Sequence, residues 1–210
     1  MDGDPARVPL SLARLEAFAD GVFAIAITLL ILEIRLPAAV SSTQTGLFKT
    51  LASLWPSYLG YAVSFVIIGI MWINHHNLCR LIDRIDHNFI VLNLLLLLCV
   101  AFTPFPTRVL AEYLTSNAAR VTAVAFYGAT FTLTAIVYNF VWWYAARDRR
   151  LLRSTVSEQM ARAITRRYVA GPLMYFVATV LAFVSVPLSL GVVIGLAVLF
   201  LLPYRSQSGR

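Results

Sequence analysis

The stretch that decides the fold is RLEAFADGVFAIAITLLILEIRLP, at residues 14–37. Its apolar body, Val22 to Leu32, has eleven residues and is too short to cross a bilayer by itself. A helix that also takes in Leu15–Gly21 and reaches Leu36 gives about 20 residues at roughly 1.5 Å each, which is enough. We therefore predict a membrane-spanning helix over residues 15–36.

This helix places Asp20 inside the membrane, near one face. An intramembrane carboxylate is costly unless it is paired or faces a water-filled cavity, so it marks a candidate functional site. The expected partner of Asp20 is Arg14 or a group on another helix. A structural ion pair that only holds the helix in place explains the same residues, and both interpretations stay open.

The composition is that of a membrane protein with several spans. The 210 residues are 60% hydrophobic and 13% charged, with a mean hydropathy of +0.77, and a soluble domain cannot bury so much apolar surface. The net charge is +7, but the basic residues lie mainly between hydrophobic runs. We interpret them as topology signals, not as a nucleic-acid surface.

Two further features concern processing and redox state. Residues 1–13 lack a convincing small-residue cleavage site, so the first helix is expected to be retained and not removed as a signal peptide. Cys79 and Cys99 are neither paired by context nor spaced as metal ligands, so no disulfide is expected.

Hydrophobic runs predict one all-α domain over residues 1–210, with six spans at about 15–36, 51–74, 87–109, 121–146, 168–186 and 188–204. A short polar connection, Pro37–Thr50, joins the first two. Thr103-Pro104-Phe105-Pro106 predicts a kink or early end in the third span, because proline removes backbone donors.

Residues 147–167 form the longest hydrophilic stretch. Thr155 and Glu158 fit a capping box, which predicts a short interfacial helix whose arginines reach lipid phosphates. Thirteen of the 17 Lys and Arg residues lie on the side of the two termini. Because basic residues concentrate in cytoplasmic loops, both termini are predicted to be cytoplasmic.

Polar residues in the second and third spans are candidates for function. His75 and His76 point about 100° apart on a helix, so they do not face one metal together. Trp72 and His76 share a helix face, and either a structural contact or a pH-sensitive role explains them. Asn93 lies in an apolar run, where we expect it to bond to a neighbouring helix.

Several chemistries are excluded by what the sequence lacks. It contains no phosphate-cradling loop, no Ser/His/Asp set and no paired carboxylates, so an enzyme is disfavoured and no cofactor or resident metal is expected. It also contains no TVGYG-type filter, so a potassium pathway lined by backbone carbonyls is excluded.

One face of the first helix carries Gly21, Ile25, Thr28, Leu29 and Leu32 at helical spacing. Every other face of the Val22–Leu32 stretch is apolar as well. Periodicity alone therefore does not say which side, if any, faces a pore.

The motif at the start of the first helix resembles that of a known family. Arg14-x-x-x-Phe18-Ala19-Asp20-Gly21 resembles the Arg-x-x-x-Phe-Ser-Asp-Gly/Ala motif that opens the first helix of the transmembrane protein 175 family of potassium channels, in its single-repeat bacterial members. The resemblance extends to Trp72-x-x-x-His76, to Phe102-Thr-Pro-Phe105 and to the six spans.

The resemblance implies a homotetramer whose central pore is lined by first helices. Its constriction would be rings of Ile25, Leu29 and Leu32, with Thr28 offering a hydroxyl layer. The motif residues would form a polar network that holds the pore helix, namely Arg14, Phe18, Asp20, Trp72 and His76. Ala19 stands where the family usually has serine, which removes a hydroxyl donor from that network.

The expected function is passive, modestly potassium-selective conduction in a bacterial inner membrane, with potassium ions, lipid and further copies of the chain as partners. An apolar ring closes a narrow pore by dewetting and favours potassium because that ion sheds water more cheaply. Glu33 near the mouth is either an attractor of cations or a solvated helix cap. The alternatives are a proton-coupled carrier that titrates Asp20 and His76, and a non-transporting scaffold.

Overall fold

The computed structural model describes residues 11–37 and 44–201, and these form an all-helical bundle. The helices are α1 (Leu12–Leu29), α2 (Gln44–Ser53), α3 (Trp55–Cys79), α4 (His87–Phe102), α5 (Pro104–Tyr113), α6 (Arg120–Ala146), α7 (Glu158–Leu181) and α8 (Val186–Leu201). A 3-10 turn, Leu30–Glu33, extends α1, and another, Arg147–Arg149, follows α6. The N-terminal residues 1–10 and the predicted end of the sixth span, residues 202–204, lie outside the described residues.

Within the described ranges, four helical segments are long and apolar enough to cross a membrane: Leu12–Glu33, Trp55–Cys79, His87–Tyr113 and Arg120–Arg149. A shorter apolar helical segment, Val186–Phe200, follows. An all-α membrane architecture is therefore confirmed.

The helical hydrogen bonding of the third span is interrupted at its prolines, where a kink or early end was predicted, while Thr103 keeps helical backbone angles (φ −55°, ψ −36°) and His87–Tyr113 remains one apolar segment. Helix α4 ends at Phe102 and α5 begins at Pro104, so Thr103 joins two helices in place of one. Proline fits the first turn of α5 because its missing N–H is among the donors that a helix start leaves unpaired.

Elsewhere the helix boundaries differ from the sequence expectation. The connection expected at Pro37–Thr50 contains the start of α2, and α3 starts at Trp55 and runs to Cys79, past the expected end at Asn74. The expected interfacial helix is not separate, because α7 runs without a break from Glu158 to Leu181. Its N-cap is Ser157, whose side chain accepts a bond from the backbone N of Met160, and not Thr155.

Helix α6 lies at the centre of the bundle and packs against α4, α5, α7 and α8. Helix α1 packs instead against α3 and α4, while α7 packs against α6 and α8. The pore-helix candidate and α7 therefore lie on different sides of the bundle.

At the end of the bundle that carries most arginines, two loops are joined. Ile82 and Leu152 form an isolated antiparallel bridge, with hydrogen bonds from Asp83 N to Leu151 O and from Arg153 N to Leu81 O, both 2.9 Å. The loop between α3 and α4 is thereby tied to the segment between α6 and α7.

Candidate functional site: the exposed face of the first helix

Helix α1 has one buried and one bare face. The buried face packs into a cluster with α3 and α4 through Ala19, Phe23, Ala26 and Leu30. The exposed face includes Arg14, Phe18, Gly21, Ile25, Thr28, Leu29 and Leu32, which we call the α1 stripe, and Ala17, Ala24 and Ile31 beside it are exposed as well. Packing thus identifies the free face that periodicity left open.

The large apolar side chains of the α1 stripe are exposed. Ile25 is 60% exposed, Leu29 41% and Leu32 59%. Between them, the Thr28 hydroxyl bonds within its own helix, at 2.9 Å from Ile25 O and 3.0 Å from Ala24 O. Its hydrogen is therefore used locally, which leaves the oxygen lone pairs for the exposed side.

Two polar contacts hold the start of α1 against α3. The indole Nε1 of Trp72 donates to Oδ1 of Asp20 over 2.8 Å, and Nδ1 of His76 lies 3.0 Å from Oε1 of Glu16. The Trp72 and His76 rings are stacked with their centroids 6.2 Å apart. We call these four residues the polar bracket.

The polar bracket joins three of the five residues expected in the network: Asp20, Trp72 and His76. It does not include Arg14 or Phe18, which lie on the α1 stripe. The Arg14 guanidinium makes no hydrogen bond or ion pair with any other part of the chain that the structure describes. Among the described residues Asp20 therefore does not pair with Arg14, and the alternative partner, a group on another helix, is the one observed.

Glu16 is the bracket residue that the sequence analysis missed. It precedes Asp20 by four residues, so the two carboxylates share a face of α1, just as Trp72 and His76 share a face of α3. The two i, i+4 pairs on neighbouring helices therefore make two parallel polar contacts, Trp72 with Asp20 and His76 with Glu16, which we call rungs. The shared i, i+4 spacing of these two pairs was the feature of the sequence that could have identified Glu16.

A second, buried layer lies behind the bracket. His75 is 1% exposed, and its Nε2 lies 3.1 Å from Oδ1 of Asn93. Asn93 Nδ2 donates to Phe89 O over 2.8 Å, so its Oδ1 accepts and His75 Nε2 carries the proton. The expectation that Asn93 bonds to a neighbouring helix is confirmed.

Ala19 is completely buried on the same side of α1 as Phe23, whose ring lies 5.6 Å from the His75 ring. The polar contacts between α1 and α3 are made by Glu16 and Asp20 and do not need a hydroxyl at position 19.

The far end of α1 carries Glu33, whose side chain is only 18% exposed. Its Oε2 lies 3.9 Å from Nε of Arg108 on α5, which also lies 3.8 Å from Oε2 of Glu112. Glu33 is therefore not the solvated cap considered from the sequence. A nearby guanidinium offsets its charge.

Three comparisons relate this chain to known proteins. Residues 14–104 match the model of the family described as endosomal/lysosomal potassium channel TMEM175. A protein of Chamaesiphon minutus named a potassium channel is 50% identical over 189 residues, covering 90% of this chain and 93% of that protein. A protein of Streptomyces collinus with the same designation is 46% identical over 177 residues, covering 84% and 85%.

The fold agrees with a solved structure of this type. The crystal structure of a lysosomal potassium-selective channel TMEM175 homologue from Chamaesiphon minutus aligns with a TM-score of 0.81 at 47% identity, covering 90% of this chain and 95% of that one. The sequence and the fold agree over nearly the whole length, and the chain belongs to the TMEM175 family of ion channels.

Proposed function

We propose that this chain conducts potassium passively through a pore lined by the α1 stripes of several copies. The observation that carries the proposal is the α1 stripe itself, which is exposed while the opposite face of α1 packs against α3 and α4. Relatives that cover about nine-tenths of the chain are named potassium channels, which supports the same function.

The polar bracket explains how such a stripe keeps its place. Apolar side chains on every face do not by themselves select one rotation of a helix, whereas the two polar contacts with α3 favour one. Trp72 and His76 therefore act as positioning residues for Ile25, Thr28, Leu29 and Leu32.

The proposed constriction consists of rings of Ile25, Leu29 and Leu32, with Thr28 oxygens between them. One α1 helix does not enclose a pathway, so several copies are needed, and we propose a homotetramer. An apolar ring conducts only when it widens enough to hydrate, and it offers no oxygen cage. Selectivity then rests on the smaller dehydration cost of potassium and is modest.

We also propose six spans in a bacterial inner membrane with both termini cytoplasmic. Helix α7 supplies the fifth span from its apolar part, after the arginines at 162, 166 and 167, and α8 supplies the sixth. The arginine-rich loops then share the cytoplasmic side, in agreement with the distribution of basic residues along the chain.

Potassium flux from liposomes that contain the purified protein tests this proposal, with sodium and proton fluxes measured in parallel. We expect passive potassium flux, and we expect Ile25→Ala to raise the flux and reduce its selectivity over sodium. Val198→Ala is the control, because Val198 is a similarly exposed apolar side chain (57%) on α8 and lies outside the α1 stripe. Saturating, proton-coupled uptake would establish a carrier instead, and a folded oligomer without any flux would favour a scaffold.

A further inference from the structure

An open groove of about 370 Å³ runs between α6 and α7. Ile136, Phe140 and Trp143 form its α6 wall, and Val169 and Pro172 contribute from α7. Its volume lies in the range of small-molecule sites, and its walls are almost entirely apolar. Such a groove suits a hydrocarbon chain.

The groove is a built feature and not a gap between loose helices. At its arginine-rich end, the indole Nε1 of the buried Trp142 donates to the Thr165 hydroxyl over 2.9 Å. This bond ties α6 to α7 and fixes the separation of the two walls.

The groove also faces away from the proposed pore. Helix α1 packs against α3 and α4, whereas α7 packs against α6 and α8. An apolar surface on the outer side of a membrane bundle meets lipid.

Basic residues stand at one end of the groove. The Arg147 guanidinium lies 5.4 Å from the centre of the Trp143 ring, which lines the groove. On α7, Arg162 precedes Thr165 and Val169 at i, i+3 and i+7 spacing, and Arg166 precedes Val169 by three residues, so both arginines lie on the groove side of the helix.

Two acids accompany these arginines. Asp148 lies 3.8 Å from Nε of Arg147, and Glu158 lies 3.1 Å from Nη1 of Arg162. Arg166 is exposed and forms no ion pair or hydrogen bond within the described part of the chain. Residues 147–167 hold seven arginines against these two acids, so this end of the groove is strongly positive.

We propose that this groove binds a phospholipid with an anionic headgroup, its acyl chain along the α6–α7 walls and its phosphate between Arg147, Arg162 and Arg166. The chemistry follows from an apolar slot that opens at a cluster of guanidinium groups, which pair with phosphate through charge-assisted hydrogen bonds. The proposal does not depend on whether the protein conducts ions.

Fluorescence quenching by brominated lipids tests it in the reconstituted full-length protein. Brominated phosphatidylglycerol or brominated phosphatidylcholine is titrated into unlabelled phosphatidylcholine vesicles, and the Trp143 signal is the difference between the wild type and Trp143→Phe. We expect the anionic lipid to quench Trp143 at a lower mole fraction than the neutral lipid does.

The matched variants are Arg162→Gln/Arg166→Gln and Arg80→Gln/Arg84→Gln, which remove the same charge from the same end of the bundle. We expect the first to weaken the preference for the anionic lipid by about fivefold per arginine, and the second to leave it unchanged. Equal quenching by both lipids, or equal loss in both variants, overturns the proposal. So does an unquenched Trp143, which would mean that a second copy of the chain covers the groove.

Discussion

Trp72 Nε1 donates a 2.8 Å hydrogen bond to Oδ1 of Asp20 and so joins α3 to α1 at the start of the α1 stripe. His76 and Glu16 make the parallel contact at 3.0 Å one turn away. The polar bracket therefore fixes the orientation of the α1 stripe, although none of its four residues belongs to the stripe.

Replacing Trp72 by Phe removes the donor while keeping an aromatic ring. We expect the free energy of unfolding of the protein to fall by about 1 kcal/mol, and we expect potassium flux to fall because α1 loses one of its two polar contacts with α3. Asp20→Asn keeps an oxygen acceptor, so it should lose less stability than Asp20→Leu. Thermal unfolding in detergent and liposome flux check both variants.

A double-mutant cycle of Trp72→Phe and Asp20→Leu, both of which remove the bond, shows whether the two residues act through it. We expect the combined loss of stability to be smaller than the sum of the single losses, because each change disrupts the same interaction. Additive losses would contradict the bracket. Loss of proton coupling alone in Asp20→Asn, with stability unchanged, would favour the carrier.

Thr28 offers a separate test of the α1 stripe. Its hydroxyl hydrogen is bonded within the helix, so only oxygen lone pairs face the exposed side. We expect Thr28→Val, which has nearly the same shape, to lower potassium conductance at almost unchanged stability, and Thr28→Ser to conduct like the wild type. Single-channel recording in planar bilayers measures the effect. Unchanged conductance in Thr28→Val would place Thr28 outside the pathway.

Hydrophobic length predicted the membrane class, and the missing donors of proline predicted a kink or early end at Thr103–Pro106. The network of Arg14, Phe18, Asp20, Trp72 and His76 was instead implied by the family resemblance, and the structure brings Asp20, Trp72 and His76 together. The prediction of a separate interfacial helix was wrong about where that helix ends, because the helix that starts at Glu158 continues into the apolar residues that follow. A change of composition does not break a helix unless a residue stops it.

Glu16 and Glu33 show what sequence alone could not supply. Glu16 contacts His76, which lies 60 residues later in the chain, and Glu33 lies 3.9 Å from Arg108 of α5. Both contacts depend on how α1 is rotated against α3 and α5. Because α1 is apolar on all sides over Val22–Leu32, its rotation was not encoded in its own periodicity.

Gly128 allows α6 and α7 to approach closely. A Cβ at this position would lie 2.6 Å from Thr179 Oγ1 and 3.3 Å from Thr179 Cα. We expect Gly128→Ala to destabilise the protein by roughly 1–3 kcal/mol, because backbone must move as well as a side chain. Gly195→Ala is the control, since a Cβ there meets nothing within 4 Å. Thermal unfolding that ranks the two variants equally would contradict this account.

Asp86 makes stability depend on acidity at the arginine-rich end. Burial raises the pKa of its carboxyl. Hydrogen bonds from Phe89 N, the Tyr144 hydroxyl and Arg150 together lower the pKa by more than burial raises it, so the net pKa lies below the usual 3.8. A depressed folded-state pKa adds stability above the unfolded-state value, and that stability is lost as pH falls through the folded-state pKa.

We therefore expect the free energy of unfolding to fall between about pH 5 and pH 2 in the wild type, and less steeply in Asp86→Asn. The exposed Asp83→Asn variant, in the same loop, should keep the wild-type profile. Denaturation in detergent at several pH values measures the slopes. Equal slopes in the wild type and Asp86→Asn would show that Asp86 contributes no such linkage.

Asn139 compensates for a proline inside α7. Pro172 has no N–H, so the carbonyl of Tyr168, four residues earlier, lacks its normal partner in the helix. Nδ2 of Asn139 on α6 donates to that carbonyl over 2.9 Å. In a membrane, a backbone carbonyl without a donor is costly.

We expect Asn139→Leu to destabilise the protein by about 1–3 kcal/mol, the cost of leaving a buried polar group unpaired. In a Pro172→Ala background the new N–H can bond to the Tyr168 carbonyl, so the same Asn139→Leu change should cost much less. Thermal unfolding of the four proteins gives the coupling between the two sites. An equal cost of Asn139→Leu in both backgrounds would mean that Asn139 stabilises α6 against α7 by some contact other than the carbonyl that Pro172 leaves free.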